Sequence, residues 1–241
     1  MDASIICLIL SIIFLGSIVR STFGFGNALI TMPLMSLIIG LQTAAPISAL
    51  ISTTIALVIL INSWQFVNLK SVWRLVVSSA VGIPVGIFIL TTMNNKILVI
   101  ILAIFLILFS LYRLLVTKTI KIKSNKPAYL FGLLAGVFGG AYNINGPFIV
   151  VYSTLKNWSP VEFRATLQGY FFLANLLIIF MQGASGLWTG KVFLIYLLAL
   201  PVVGIAIYIG GKFTLLIPKG KFDKVIYIFL ILIGLFLLIQ N

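Results

Sequence analysis

The stretch Arg20-Ser21-Thr22-Phe23-Gly24-Phe25-Gly26-Asn27, followed by Pro33, interrupts an apolar run that otherwise extends from Ala3 to Gly40. As one helix that run would be about 57 Å long at about 1.5 Å per residue, against a hydrocarbon layer about 30 Å thick. Gly24, Gly26 and Pro33 are places where a helix stops or bends. The economical reading is a hairpin of two half-helices that turns back within the membrane.

The membrane follows from the rest of the chain. Of 241 residues, 62% are hydrophobic, and the mean hydropathy is +1.26, more apolar side chain than a soluble fold can bury. The charged 8% cluster between apolar runs, each about 20 residues long, the length that crosses a bilayer as a helix. Runs such as Ile97 to Leu108 lack the alternation of a barrel strand. The fold class is therefore an all-α polytopic membrane protein with about eight hydrophobic segments.

The net charge of +13 resides next to these segments rather than on a soluble domain, so the expected partner is the lipid bilayer and not nucleic acid. With no histidine, one cysteine (Cys7) and three acids (Asp2, Glu162, Asp223), no metal, cofactor or catalytic constellation is expected, and no enzyme. The first apolar run has no basic leader and no small-residue cleavage site before Arg20, so it is read as retained rather than as a signal peptide.

Two halves of the chain match. Phe23-Gly24-Phe25-Gly26-Asn27 with Pro33 answers to Phe138-Gly139-Gly140-Ala141-Tyr142-Asn143 with Gly146-Pro147, and Gly82-Ile83-Pro84-Val85-Gly86 answers to Pro201-Val202-Val203-Gly204. Each half closes on an uninterrupted apolar helix. The expected units are residues 1–116, a basic cytoplasmic linker over 117–127, and residues 128–241. After the second break, Phe148 to Leu155 is too short to cross, which again predicts a re-entrant hairpin followed by three full spans.

Loop charge separates this plan from eight simple crossings. Simple crossings leave seven basic residues on one face and eight on the other. With re-entrant hairpins, only Lys96 and Lys191 fall on one face and 13 basic residues on the other, with Arg20 left inside the membrane. Only the second arrangement obeys the positive-inside rule. It inverts one half relative to the other, puts the basic loops in the cytoplasm and both termini outside, and brings the two hairpin tips together near the midplane of the cell membrane.

Breaks of this kind persist only where protein or a wet cavity receives their backbone groups. Half-helices starting at Asn27 and Pro147 direct positive dipole ends toward the centre, which suits an anion. Candidate binding residues are Gly24, Gly26 and Gly146, whose amides a ligand can approach, and Asn27, Asn143 and Asn145, which add side-chain donors. Gly139 and Gly140 are weighed with them. Arg20 has no carboxylate nearby and points to an anionic partner, against the alternative that it snorkels or caps carbonyls. Arg164 joins them, with an ion pair to Glu162 as its rival role, and Gln168 with Ser48, Ser52, Asn175 and Gln182 either lines a path or holds helices together. Gly132, Gly136 and Gly140 read as a helix-packing stripe, and packing is also the favoured reading of Gly82 and Gly86.

Gly24-Phe25-Gly26 with Pro33, Gly146-Pro147, and Ser159-Pro160-x-Glu162-Phe163-Arg164-Ala165-Thr166 together resemble the two signature regions of the TauE/SafE family of sulfite and sulfonate exporters. The resemblance spans nearly the whole chain. It implies a bacterial-type permease of two homologous halves that handles sulfur-containing anions. The chain departs at Tyr142-Asn143-Ile144-Asn145, where smaller residues are expected. The resulting expectation is a multi-pass permease moving a small anion such as sulfite or sulfoacetate outward. A membrane scaffold or accessory subunit and a sodium-coupled anion importer are the alternatives, and the oligomeric state is left open.

Overall fold

In lipid every backbone N–H and C=O must be satisfied within its own segment, and the apolar runs accordingly form helices. The computed structural model describes residues 2–116, 121–122, 124–216 and 221–240, with backbone only over 214–216 and 221–226. The expected linker over 117–127 lies partly outside the described residues. Among the described residues there are ten α-helices and no strand: α1 (Ala3–Phe23), α2 (Asn27–Ile39), α3 (Leu41–Ile61), α4 (Leu69–Thr92), α5 (Asn95–Leu115), α6 (Pro127–Tyr142), α7 (Gly146–Lys156), α8 (Pro160–Ala184), α9 (Gly190–Leu216) and α10 (Lys221–Gln240). By length and composition α1, α3, α4, α5, α8 and the stretch Gly190–Phe213 of α9 can each cross a membrane.

Both opening segments are broken, and each folds back on itself. In the first hairpin Gly16 of α1 lies so close to α2 that a methyl group there would stand 2.6 Å from Asn27 Oδ1 and from Thr31 Cγ2. In the second, the rings of Phe138 and Phe148 pair at 5.1 Å, and Lys156 Nζ donates to Asn125 Oδ1 at 2.8 Å at the open end. The arms are unequal. α2 has 13 residues and α7 has 11, about 20 and 16 Å, but α1 has 21, about 31 Å. The expectation of two half-helices is thus corrected for the first arm, because nothing between Ala3 and Phe23 stops a helix.

Two other expected breaks differ. Pro33 sits inside α2 without ending it; the chain has already turned at Gly24 and Gly26, both with positive φ (87° and 103°). Gly139 and Gly140 belong to the last turns of α6, and the second turn comes at Asn143, whose φ is 54°.

The glycines of α6 serve packing. A methyl group on Gly136 would stand 2.8 Å from Ser79 Cα, and Gly132, Gly140, Gly82 and Gly86 likewise face backbone atoms across α4 and α6. Small residues let two helices approach backbone to backbone, where dispersion replaces the hydrophobic drive that lipid cannot supply. Ser79 hydroxyl closes this interface, donating to Gly132 O at 2.7 Å and pairing with Tyr170 hydroxyl of α8 at 2.8 Å. α1 packs on α9, with Gly210 against Ile18 O and Ser21, while α3 lies against α8 and α5 against α10. Trp64, Trp73 and Trp188 are exposed near helix ends, where amphipathic rings anchor at an interface.

Candidate functional site

The turns of the two hairpins meet. A methyl group on Gly146, at the start of α7, would stand 3.6 Å from Phe25 Cβ, and both turns line one small cavity of about 20 Å³ together with Arg20, Ser52 and Phe171. α2 starts at Asn27 and α7 at Gly146, and neither has a side-chain cap. Their first residues, Asn27, Ala28 and Leu29 on one side and Gly146 and Pro147 on the other, line the cavity. The first N–H groups of a helix have no intrahelical acceptor, and the helix dipole adds partial positive charge at that end. Two such ends share one cavity, α7 presenting there the N–H of Gly146 alone, since Pro147 has none, and both dipoles favour negative charge between them.

Arg20 adds a full charge. It lies on the buried side of α1, 3% exposed, with its guanidinium 4.6 Å over the Phe171 ring and Nη2 donating to Gln168 Oε1 at 3.1 Å. Nε has no partner, and no carboxylate among the described residues faces the group. Gln168 Nε2 in turn donates to Gly24 O at 2.8 Å, so the amide links Arg20 to the first turn. Asn27 is 2% exposed, and both of its polar side-chain atoms lack partners, as does Thr31 Oγ1 beside it.

The second turn is better satisfied. Asn143 Nδ2 lies 3.1 Å from the hydroxyls of Ser48 and Ser52 on α3, and Asn145 Nδ2 donates to Asn175 Oδ1 at 3.3 Å. Tyr142 points away from the cavity, its hydroxyl donating to Leu98 O of α5 at 3.1 Å. A bulky residue at this place therefore costs the cavity nothing.

Of the residues singled out from sequence, the cavity gathers Arg20, Gly26, Asn27, Asn143, Asn145 and Gly146. Gly24 and Gln168 stand one hydrogen bond behind it. Arg164 belongs elsewhere: it donates to Ser21 O and lines a second, open cavity. Glu162 accepts from Asn68 Nδ2 at 2.8 Å, and its backbone N–H is capped by Ser159 Oγ, the local pattern that starts α8. Gly82, Gly86 and Gly140 are spent on helix packing.

That second cavity is a vestibule of about 600 Å³ at the ends of α1, α7 and α8, lined among others by Arg113, Trp158, Phe163, Arg164 and Tyr227. Among its lining residues Phe25 is the one that also lines the central cavity. Phe25 meets Phe163 edge to face at 6.5 Å, and it is held between two glycines of positive φ. It stands as a partition between vestibule and central cavity.

Phe25 and Phe171 were not singled out as site residues. Phe171 was findable, since it follows Gln168 by three residues and so shares its helix face. Phe25 carried no chemical signal beyond its two flanking glycines.

A family model described as the sulfite exporter TauE/SafE matches residues 8–237. No curated protein and no solved structure gives a significant match.

Proposed function

The chain belongs to the sulfite exporter TauE/SafE family, a family of membrane transporters, and from that premise we propose that it exports a small sulfur-containing anion through the central cavity. The observation that carries this reading is the convergence of two uncapped helix starts and the buried Arg20 on one small space. Arg20, Asn27 and the first amides of α2 and α7 hold the oxyanion; Asn143, Asn145, Gly24, Gly26, Gly146 and Gln168 shape the turns that present them. In the described conformation the cavity, about 20 Å³, has room for little more than a water molecule, so a solute of a few heavy atoms such as sulfite or a short sulfonate enters only as the Phe25 turn moves.

The cycle follows from the partition. The vestibule adjoins Arg113, Arg164 and the Lys156 end of α7, the side that the positive-inside rule assigns to the cytoplasm. A solute entering there meets Arg164 at the mouth and reaches the cavity when Phe25 swings aside on its glycine-flanked turn. A monoanion leaving a negative interior gains about 2.3 kcal/mol per charge per 100 mV, so efflux needs no coupling ion.

Alternating exposure suits two inverted copies of one unit. Reciprocal packing supports that arrangement: α1 lies on α9 and α6 lies on α4. Exchanging the halves turns the first pair into the second, as a twofold-related duplicate would.

The test is flux from proteoliposomes loaded with sulfite. Efflux is expected to speed up when the loaded interior is made negative and to slow when it is made positive. Equal rates under both signs would remove electrogenic efflux, and absence of flux for sulfite and sulfoacetate alike would remove the substrate class.

A further inference from the structure

Three buried amides, Gln168, Asn175 and Gln182, follow one another along α8 at intervals of seven residues. Two helical turns bring such positions back to within about 20° of one another, about 10 Å apart along the axis. They form one stripe on the face turned inward. Gln168 begins it, between Arg20 and Gly24 O. Asn175 continues it: its Oδ1 receives Asn145, and its Nδ2 has no partner. Gln182 ends it, two residues before the end of α8 and therefore at the opposite end from the vestibule, which the first turn of the same helix lines.

Gln182 is 0% exposed, and neither its Nε2 nor its Oε1 has a hydrogen-bond partner. A side chain that joins helices looks different. Tyr170, two residues after Gln168, pairs its hydroxyl with Ser79 at 2.8 Å, and Ser79 also reaches Gly132 O. A buried amide left without partners is costly, and more so in lipid, unless water or a polar solute reaches it in another conformation.

We propose that the Asn175–Gln182 stripe is the far half of the translocation path, with Gln182 the last polar station an anion meets before the face opposite the vestibule. The described conformation is open on the vestibule side and closed at Gln182. The amide N–H groups would hand on the oxyanion after it leaves Arg20, which rests on the reading of the central cavity as the substrate site.

The experiment uses the full chain with Cys7→Ser as background. Gln182→Cys and the lipid-facing control Phe180→Cys, where Phe180 is 74% exposed, are treated in proteoliposomes with a charged, membrane-impermeant thiol reagent. The Gln182→Cys protein is expected to react about tenfold faster or more, as a group that water reaches would against one in hydrocarbon. Equal, negligible rates would overturn the proposal. This arm reads water access and does not depend on the anion. In a second arm, Gln182→Leu is expected to keep or raise the thermal midpoint, since an unpaired amide is lost, and to slow sulfite flux about tenfold while the sulfite-induced rise in midpoint persists. Unchanged flux, or a lowered midpoint, would mean that Gln182 is structural. If the unsubstituted protein itself shows no rise with sulfite, it is the central site that fails, and the labelling result still decides the path.

Discussion

The two hairpins share a plan and differ in chemistry. Each turns back at a break whose following helix starts without a side-chain cap at the central cavity. The first turn is made of glycines and stands beside Arg20, Asn27 and Thr31, all with unpaired polar atoms. The second is made of asparagines tied to Ser48, Ser52 and Asn175, on an arm locked to α4 by glycine packing. The first hairpin thus offers Arg20, Asn27 and Thr31 with unpaired atoms, whereas the second leaves Asn143 Oδ1 unpaired and is otherwise held by its neighbours. Unpaired polar atoms are the currency of binding, because a ligand that pairs them removes a cost already present in the empty site.

Substitutions can break or sharpen this contrast. Arg20→Gln should have the largest effect, weakening sulfite binding about 100-fold through the loss of charge-assisted hydrogen bonds, as read by titration calorimetry. A similar loss in Asn143→Ala would erase the distinction between the hairpins. Gly136→Ala should lower stability by about 2 kcal/mol, because the added methyl group meets Ser79 backbone that has nowhere to go. The thermal midpoint should show it, with sulfite affinity unchanged in whatever protein stays folded. Asn27→Leu is expected to weaken binding about tenfold without lowering the midpoint, since its amide has no partner to lose. Asn143→Ala should do the reverse, costing about 1 kcal/mol of stability by stripping Ser48 and Ser52 of their shared donor, with only a small change in affinity.

Sequence reasoning found the breaks because they rest on length. A run of 38 residues does not fit the bilayer, and Gly24, Gly26, Asn143 and Gly146 supply the means to turn. It found Arg20 because an uncompensated charge in an apolar run needs a partner. It misjudged Pro33, because proline marks both breaks and positions that a helix tolerates, and only neighbours tell which. Pro33 stays within α2 because the turn occurs upstream, whereas Gly140 faces Ile83 on α4, the packing role that its four-residue spacing from Gly132 and Gly136 predicts. The full length of α1 was hidden by symmetry, which suggested arms as short as those of the second hairpin. Phe25 and Phe171 were hidden by abundance, since the chain has 19 phenylalanines, and the vestibule exists only once α1, α7 and α8 are placed together.

The central claim, that two helix starts and Arg20 form one anion site, is tested most directly by the thermal midpoint of the purified protein in sulfite and in a chloride control of equal ionic strength. Only a ligand preferring the folded state raises that midpoint, by about 2.7 kcal/mol of added stability at a concentration 100 times its Kd. The account predicts a clear rise with sulfite in the unsubstituted protein and only about 0.4 kcal/mol of added stability in Arg20→Gln at the same concentration. An equal rise in both proteins, or no rise in either, would contradict it.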